Sequence, residues 1–123
     1  MFKDKSSSAI VAIKDLERAR AFYADTLGLE LESESEVLVF KTGATRLVVY
    51  PSDVAGTNRA NAVVWDAGAD FGAIHTELKA KGVTFEEYTD MGMDVADGVH
   101  SQGDFKAAWF KDPDGNILHF NNM

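Results

Sequence analysis

The sequence contains no cysteine and no long apolar run. The absence of cysteine excludes disulfides, thiolate metal ligands and cysteine nucleophiles, and it suits a reducing compartment. Without about 18 consecutive apolar residues, no membrane-spanning helix is predicted. The first residues also lack the apolar stretch of a signal peptide, so we expect a cytoplasmic protein.

Basic residues are scarce as well. Twelve Lys and Arg face twenty Asp and Glu, which gives a formal net charge of −8. This charge repels a phosphate backbone, and no local cluster of Lys and Arg reverses it, so nucleic acid is not an expected partner. What the chain does have is 46% hydrophobic residues, including eight Phe, three Tyr and two Trp. In 123 residues this composition predicts one soluble domain with a substantial core.

The first half of the chain has the pattern of one strand, one helix and three strands. Residues 8–13 are rich in β-branched side chains and predict a strand. Asp15 is a good N-cap for an amphipathic helix over 16–27, and Gly28 stands where a glycine commonly ends a helix. Three short strands are predicted to follow, at 29–32, 36–41 and 46–50.

The second half repeats this order. A strand is predicted at 60–65, then a helix that carries Phe71 and Leu78 on its apolar face, with Asp66 or Asp70 as its cap and Gly82 at its end. The remaining predictions are a strand at 83–88, a long polar loop at 89–104, and a final hairpin of 105–111 and 116–121 around the turn sequence Asp112-Pro-Asp-Gly115.

These patterns predict an α+β fold of two tandem βαβββ modules that form curved mixed sheets around a groove. The modules span about 7–51 and 59–123 of a single domain 1–123, with a linker at 52–58. A half of about 60 residues does not easily close a core alone, so we expect the modules to pack together. Whether they do so within one chain or across a dimer stays open, and a homodimer is expected.

Three segments carry a resemblance to a known family. Residues 15–28, 65–83 and 108–118 resemble the first helix, the second strand-helix unit and the closing hairpin of the vicinal oxygen chelate superfamily. This superfamily includes glyoxalases, bleomycin resistance proteins and extradiol dioxygenases. Together with the module order, the likeness covers nearly the whole chain, but a fold does not fix a function.

The resemblance implies four metal-ligand positions, which fall here on Ser8, Val48, Ala60 and His119. Only His119 carries a side chain that binds divalent metals well. A shift of one residue along each strand supplies no second strong ligand. We therefore predict no metal and no other cofactor.

The leading hypothesis is a small-molecule-binding protein that sequesters a drug or metabolite without a metal. No catalytic residue is identified, and whether the protein is an enzyme stays open. His119 either orients a ligand or makes a structural hydrogen bond, and Trp109 either lines the groove or belongs to the core. The candidate ligand-binding residues of the groove are Ser8, Val48, Tyr50, Ala60, Trp109, His119 and Asn121.

Two alternatives belong to other classes. One is a metal-dependent lyase or dioxygenase with rearranged ligands, recruited from Asp94, Asp97 and His100 in the long loop. The other is an interaction module whose only role is to form a dimer. His75 is expected on the exposed side of the second helix, where it has no role in either alternative.

Overall fold

The computed structural model describes residues 1–123 as two units, Met1–Ala55 and Gly56–Met123. Each unit contains one mixed β-sheet and one main helix, which confirms the predicted α+β class with two βαβββ-like modules. Both helices are too short to cross a membrane.

The first unit contains a four-stranded sheet with the strand order β1-β4-β3-β2. Strand β1 runs parallel to β4, and the other neighbours are antiparallel. Helix α1 continues into a π-helical turn. The elements are β1 (Ala9–Ile13), α1 (Leu16–Arg20), the π-helical turn (Ala21–Thr26), β2 (Glu30–Glu34), β3 (Leu38–Thr42) and β4 (Thr45–Pro51).

The predicted ends of the first helix are confirmed. The Asp15 carboxylate accepts hydrogen bonds from the backbone N–H groups of Glu17 and Arg18, at 2.9 and 3.1 Å. Gly28 has φ +75°, the left-handed conformation that glycine adopts without steric cost. Tyr23 is buried on the helix, so the helix is held against its sheet by apolar side chains.

The second unit contains a five-stranded sheet with the order β5-β9-β8-β7-β6. Strand β5 is parallel to β9, and the other pairs are antiparallel. Asp70 occupies the N-cap position of α2, although its side chain makes no capping hydrogen bond. The elements are β5 (Asn61–Asp66), a 3₁₀ turn (Gly68–Asp70), α2 (Phe71–Ala80), β6 (Asp94–Ala96), β7 (Val99–Gln102), β8 (Phe105–Lys111) and β9 (Ile117–Asn121).

Two predictions for the second unit are wrong. Residues 83–88 form no strand, because only Phe85 makes an isolated bridge to the sheet, opposite Phe110. The segment 89–104 is not simply a loop, since it contains the hairpin of β6 and β7. The turn of that hairpin is Asp97-Gly98, and both residues have positive φ. Such a turn matches the natural twist of two antiparallel strands.

The exposed position predicted for His75 is also wrong. The side chain of His75 is buried on α2, where its ring stacks on Phe85 with 4.5 Å between the ring centres. Its Nε2–H donates a hydrogen bond of 2.8 Å to the backbone oxygen of Asp97. His75 therefore ties the turn of the β6–β7 hairpin to the helix.

The final hairpin is confirmed, with strands β8 and β9 in antiparallel register. Its turn is held by the buried Asp112, whose carboxylate accepts hydrogen bonds from the backbone N–H groups of Asp114 and Asn116, both at 2.9 Å. The register of this hairpin decides which side chains share a face of the second sheet.

Candidate functional site

The two central strands of the second sheet divide their side chains between its faces. Successive residues of a strand point to opposite faces. Phe110, Leu118 and Phe120 are buried on the face that packs against α2, where the rings of Phe71 and Phe120 lie 4.9 Å apart. The alternate residues Trp109, His119 and Asn121 occupy the opposite face, because Trp109 pairs directly with His119 in the register.

Neighbouring strands add two side chains to this opposite face. Val64 of β5 pairs with His119, and His100 of β7 pairs with Ala107, the neighbour of Asn121 across the sheet. Val64 keeps 56% of its side chain exposed, whereas His100 is fully buried. The five residues Val64, His100, Trp109, His119 and Asn121 are called the His119 face below.

Aromatic rings surround Trp109. The His119 ring stacks on it, with 4.4 Å between centres and 20° between planes. The rings of His100 and Tyr88 meet it edge to face, at 4.8 and 5.5 Å. Such arrangements are favourable for aromatic pairs and restrict the movement of the indole. Trp109 is left with 8% of its surface exposed.

The hydrogen bonds of His119 fix its tautomer. Nδ1 lies 3.0 Å from the backbone oxygen of Ala108, and because a carbonyl oxygen only accepts, Nδ1 carries the proton. Burial lowers the pKa of His119 below its ordinary value of 6.5; the hydrogen bond to Ala108 raises it, and the charge of His100 lowers it. The imidazole is therefore neutral at neutral pH, and Nε2 presents a lone pair.

Asn121 faces this lone pair with its amide nitrogen. The side-chain oxygen of Asn121 accepts a hydrogen bond of 3.1 Å from the backbone N–H of Met123. This contact orients the amide so that Nδ2 donates to Nε2 of His119 at 3.3 Å. The distance is longer than the usual 2.9–3.0 Å of an N–H donor, so the bond is weak.

His100 has both ring nitrogens occupied. Its Nε2 accepts a hydrogen bond of 2.8 Å from the backbone N–H of Tyr88, and its Nδ1–H donates to the backbone oxygen of Gly98 at 3.2 Å. The ring thereby holds the segment around Tyr88 against β7. Burial, reinforced by the Glu86 charge, raises the pKa of Tyr88 above its ordinary value, so its phenol stays neutral at neutral pH.

The structure brings together three of the predicted site residues, namely Trp109, His119 and Asn121. Ala60, in the same unit, is exposed and precedes β5. The other candidates belong to the first unit. Val48 and Tyr50 share one face of β4 and are half-buried, and the exposed Ser8 precedes β1.

Sequence reasoning missed the contribution of His100 and Tyr88 to the environment of Trp109. His100 had been considered only as a metal ligand from a loop. A signal for its true place existed, because Asp97-Gly98 between short β-prone segments is typical of a hairpin turn. A strand over Val99–Gln102 would have aimed His100 at a sheet face.

The residues present do not fit the divalent metal that the fold family implies. No group of three or more His, Asp or Glu side chains is placed to hold a metal ion. At the four expected positions, Val48 and Ala60 have no donor atom in their side chains, and Ser8 offers a weak one. His119 alone supplies one imidazole nitrogen, which does not hold a metal against water.

The alternative ligand set in the β6–β7 hairpin does not converge either. Both carboxylate oxygens of Asp97 lie 2.6 Å from the ammonium of Lys79, whose hydrogen bond lowers the pKa of Asp97. Asp94 pairs with Ser101 at the far end of the hairpin, and the nitrogens of His100 are already bonded. These three side chains therefore form no shared coordination site.

Comparison with known structures shows the same fold in proteins of different function. A fosfomycin resistance protein from Listeria monocytogenes is similar, with a TM-score of 0.72 at 17% identity over 100% of this chain and 93% of that one. A lactoylglutathione lyase from Agrobacterium tumefaciens matches with 0.70 at 19% identity, over 96% and 92% of the two chains. An antibiotic-binding protein from a Streptomyces species matches with 0.66 at 23% identity, over 96% of each. At these identities the likeness shows the fold alone.

None of the curated proteins matches this sequence. A family model, however, matches residues 6–120, which is nearly the entire chain. Its description agrees with the module order, the strand topology and the closing hairpin described above. The chain therefore belongs to the Glyoxalase/Bleomycin resistance protein/Dioxygenase superfamily.

Proposed function

We propose that this protein binds a small organic molecule without a metal and that the ligand contacts the His119 face. The observation that carries the proposal is the pairing of Trp109 with His119, whose rings stack at 4.4 Å beside the Asn121 amide. A rigid aromatic surface with a few oriented polar groups is typical of small-molecule sites. The exposed Val64 beside His119 extends the apolar part of this surface.

The descriptions of two solved structures of similar fold name antibiotics. One solved structure of similar fold is described as an antibiotic-binding protein, and another as a fosfomycin resistance protein. The donor set of this chain favours the first kind of role, because it lacks the converging carboxylates and imidazoles that metal-assisted catalysis requires. We infer that the protein sequesters a drug or metabolite rather than transforming it.

We also propose a cellular location, a class of excluded partners and an oligomeric state for this protein. The net charge of −8 disfavours nucleic acid as a partner. We propose a cytoplasmic location on the separate ground that the first residues lack the apolar stretch of a signal peptide. Edge strands β1 and β5 each carry an exposed apolar side chain, Ile10 at 60% and Val64 at 56% exposure. Apolar residues on edge strands favour association between copies, so the active species is a homodimer.

A thermal-shift screen tests the proposal. Purified protein is heated with a library of aromatic drugs and metabolites, once with excess EDTA and once with added Zn²⁺, Mn²⁺ or Ni²⁺. A ligand that binds only the folded protein raises the melting temperature, and the stabilisation grows with the logarithm of its concentration above Kd. We expect ligands that stabilise the protein equally in both conditions.

The matched control is His119→Phe, which retains a ring for stacking on Trp109. Ligands that form a hydrogen bond with His119 should lose part of their stabilising effect in this variant. Ligands that stabilise the protein only with added metal, or a metal ion retained at one per chain after dialysis, would instead support a metal-dependent lyase or dioxygenase.

A further inference from the structure

We propose that the ligand presents an aromatic hydroxyl group to His119 and Asn121. This inference rests on the proposed function and names the chemical class of its ligand. It follows from the direction of the hydrogen bonds on the His119 face.

A backbone contact determines which ring nitrogen of His119 donates a hydrogen bond and which one accepts. Its Nδ1–H is committed to the backbone oxygen of Ala108 at 3.0 Å, an acceptor that belongs to strand β8 and cannot turn away. The remaining nitrogen, Nε2, is an acceptor as long as the ring is neutral. A group that contacts Nε2 must therefore donate a hydrogen bond.

A second backbone contact determines the orientation of the Asn121 side-chain amide. Its oxygen is held by the backbone N–H of Met123, so the amide can offer only N–H groups to the face. One N–H points to Nε2 of His119 in the long contact of 3.3 Å. Since an amide nitrogen carries two hydrogens, the pair presents an acceptor and a donor side by side.

A hydroxyl group matches this pair better than other common groups do. Its O–H donates to Nε2 of His119 while its oxygen accepts from the amide of Asn121. An ether offers only the acceptor, so Nε2 of His119 keeps just its weak contact with Asn121 and gains no hydrogen bond from the ligand. A carboxylate also lacks the donor, and it would lie near Asp66, the neighbour of Asn121 in the register.

The part of the ligand that carries the hydroxyl group contacts the apolar side chains next to His119 and Asn121. The exposed side chain of Val64 and the small exposed parts of Trp109 and His119, 8% and 9% of these residues, form an apolar surface next to the polar pair. A flat aromatic ring buries more of this surface for less lost conformational freedom than a flexible chain does. Hence the hydroxyl is carried on an aromatic ring.

The test compares naphthol with its methyl ether, methoxynaphthalene, at neutral pH. The two probes share the ring system and differ in the ability to donate a hydrogen bond. Binding is followed in the full-length protein by NMR, through the indole N–H of Trp109 and the ring nitrogens of His119. We expect both probes to shift the Trp109 resonance, with Kd about three- to tenfold lower for naphthol, as one neutral hydrogen bond provides.

Two further readouts separate the possible outcomes. In His119→Phe the preference for naphthol should disappear while binding of the ether is retained. If that variant does not fold, the nitrogen resonances of His119 in the wild-type protein decide, because naphthol should move Nε2 and leave Nδ1 protonated.

The outcomes also distinguish this inference from the proposed function. Equal affinity for both probes, with the Trp109 resonance shifted by both, would overturn the hydroxyl assignment and leave metal-free binding at the face intact. A Trp109 resonance that no aromatic probe shifts would overturn both. An Nε2–H tautomer of the free His119 would overturn the hydroxyl assignment alone.

Discussion

Burial and the hydrogen bond to the backbone of Ala108 influence the protonation of the His119 side chain. The uncharged side chains of Trp109 and Val64 flank it from β8 and β5, and the charge of His100 on β7 lowers its pKa. Asp66 of β5 pairs with Asn121, two residues along the strand from the pair of Val64 and His119. The imidazole thus has no carboxylate partner in the structure that would favour its protonated form.

This environment predicts a dependence of stability on pH. Because the pKa of His119 is lower in the folded protein than its ordinary value of 6.5, the unfolded chain binds the proton more readily. The contribution of His119 to the free energy of unfolding is constant above about pH 6.5 and declines as the pH falls from there to the folded-state pKa. Urea unfolding measured across this range should therefore show stability falling with pH.

The control for this prediction is His119→Phe, in which the titrating group is absent. The variant should lose less stability than the wild type between the same two pH values, because the proton uptake of His119 on unfolding is then absent. Parallel pH profiles for the two proteins would show that His119 titrates alike in both states.

Two glycines with nearly the same backbone conformation provide a comparison of steric demand. Gly98 and Gly28 have φ +76° and +75°, so alanine is strained to the same degree at each. A Cβ at Gly98 would lie 2.4 Å from Cβ of Phe85, whereas at Gly28 it would meet nothing within 4 Å. The difference between the variants therefore isolates the contact with Phe85.

We expect Gly28→Ala to cost about 1–2 kcal/mol, the penalty of the left-handed conformation. Gly98→Ala should cost about 3–5 kcal/mol, because the clash involves the Cβ of a half-buried side chain, which cannot move without its backbone. Chemical denaturation of both variants measures the two free energies. Equal losses would mean that the hairpin can move away from Phe85 without cost.

At the scale of elements, the β6–β7 hairpin depends on side chains of its neighbours. His75 of α2 donates to the Asp97 backbone oxygen at 2.8 Å, and Lys79 pairs with the Asp97 carboxylate at 2.6 Å. The first contact is partly buried and comes from a ring that stacks on Phe85, and the second is exposed to water. Exposed ion pairs contribute little to stability, so the contact of His75 should contribute more to the free energy of unfolding than the contact of Lys79.

The matched variants are His75→Ala and Lys79→Ala. The first removes a buried hydrogen bond and the stack on Phe85, and it should lower the free energy of unfolding by about 2–4 kcal/mol. The second should change it by less than about 1 kcal/mol. Hydrogen exchange at the Tyr88 amide, which bonds to His100 next to the hairpin, should accelerate only in His75→Ala. Acceleration of the same size in Lys79→Ala would assign the anchoring to the ion pair.

Much of this element structure could be predicted from the sequence where one residue decides the local conformation. Asp15 begins the first helix as expected, and Gly28 and Gly82 end the two helices with positive φ. The prediction failed at residues 83–88, whose β-branched and aromatic side chains favour a strand. There, tertiary contacts prevail over propensity, since only Phe85 reaches the sheet.

The candidate site was predictable in part for the same reason. Trp109, His119 and Asn121 were correctly placed on strands, because the turn at Asp112 fixes the register of the last hairpin. The role of His100 was not predictable from a segment that was interpreted as a loop. Nor could the sequence alone supply the tautomer of His119, which depends on a backbone oxygen eleven residues away.

At the scale of the whole molecule, association between copies is the first expectation. The exposed apolar side chains of Ile10 and Val64 lie on the edge strands β1 and β5, which have one unpaired side each. Light scattering at micromolar concentration should give a mass of about twice 13.4 kDa. Ile10→Lys should shift the protein toward the monomer, and Lys3→Ala, at an exposed residue outside both strands, serves as the control. A monomeric wild-type protein at these concentrations would contradict the homodimer.

Metal-free binding at the His119 face is tested most directly by the indole N–H resonance of Trp109. Protein is treated with EDTA and titrated with a ligand from the thermal-shift screen, and Trp65→Phe identifies which of the two indole signals belongs to Trp109. We predict that the Trp109 signal shifts and saturates with the ligand while the chelator is present. A signal that responds only after a divalent metal is added, or that stays unchanged while the ligand binds elsewhere, would contradict binding at this face without a metal.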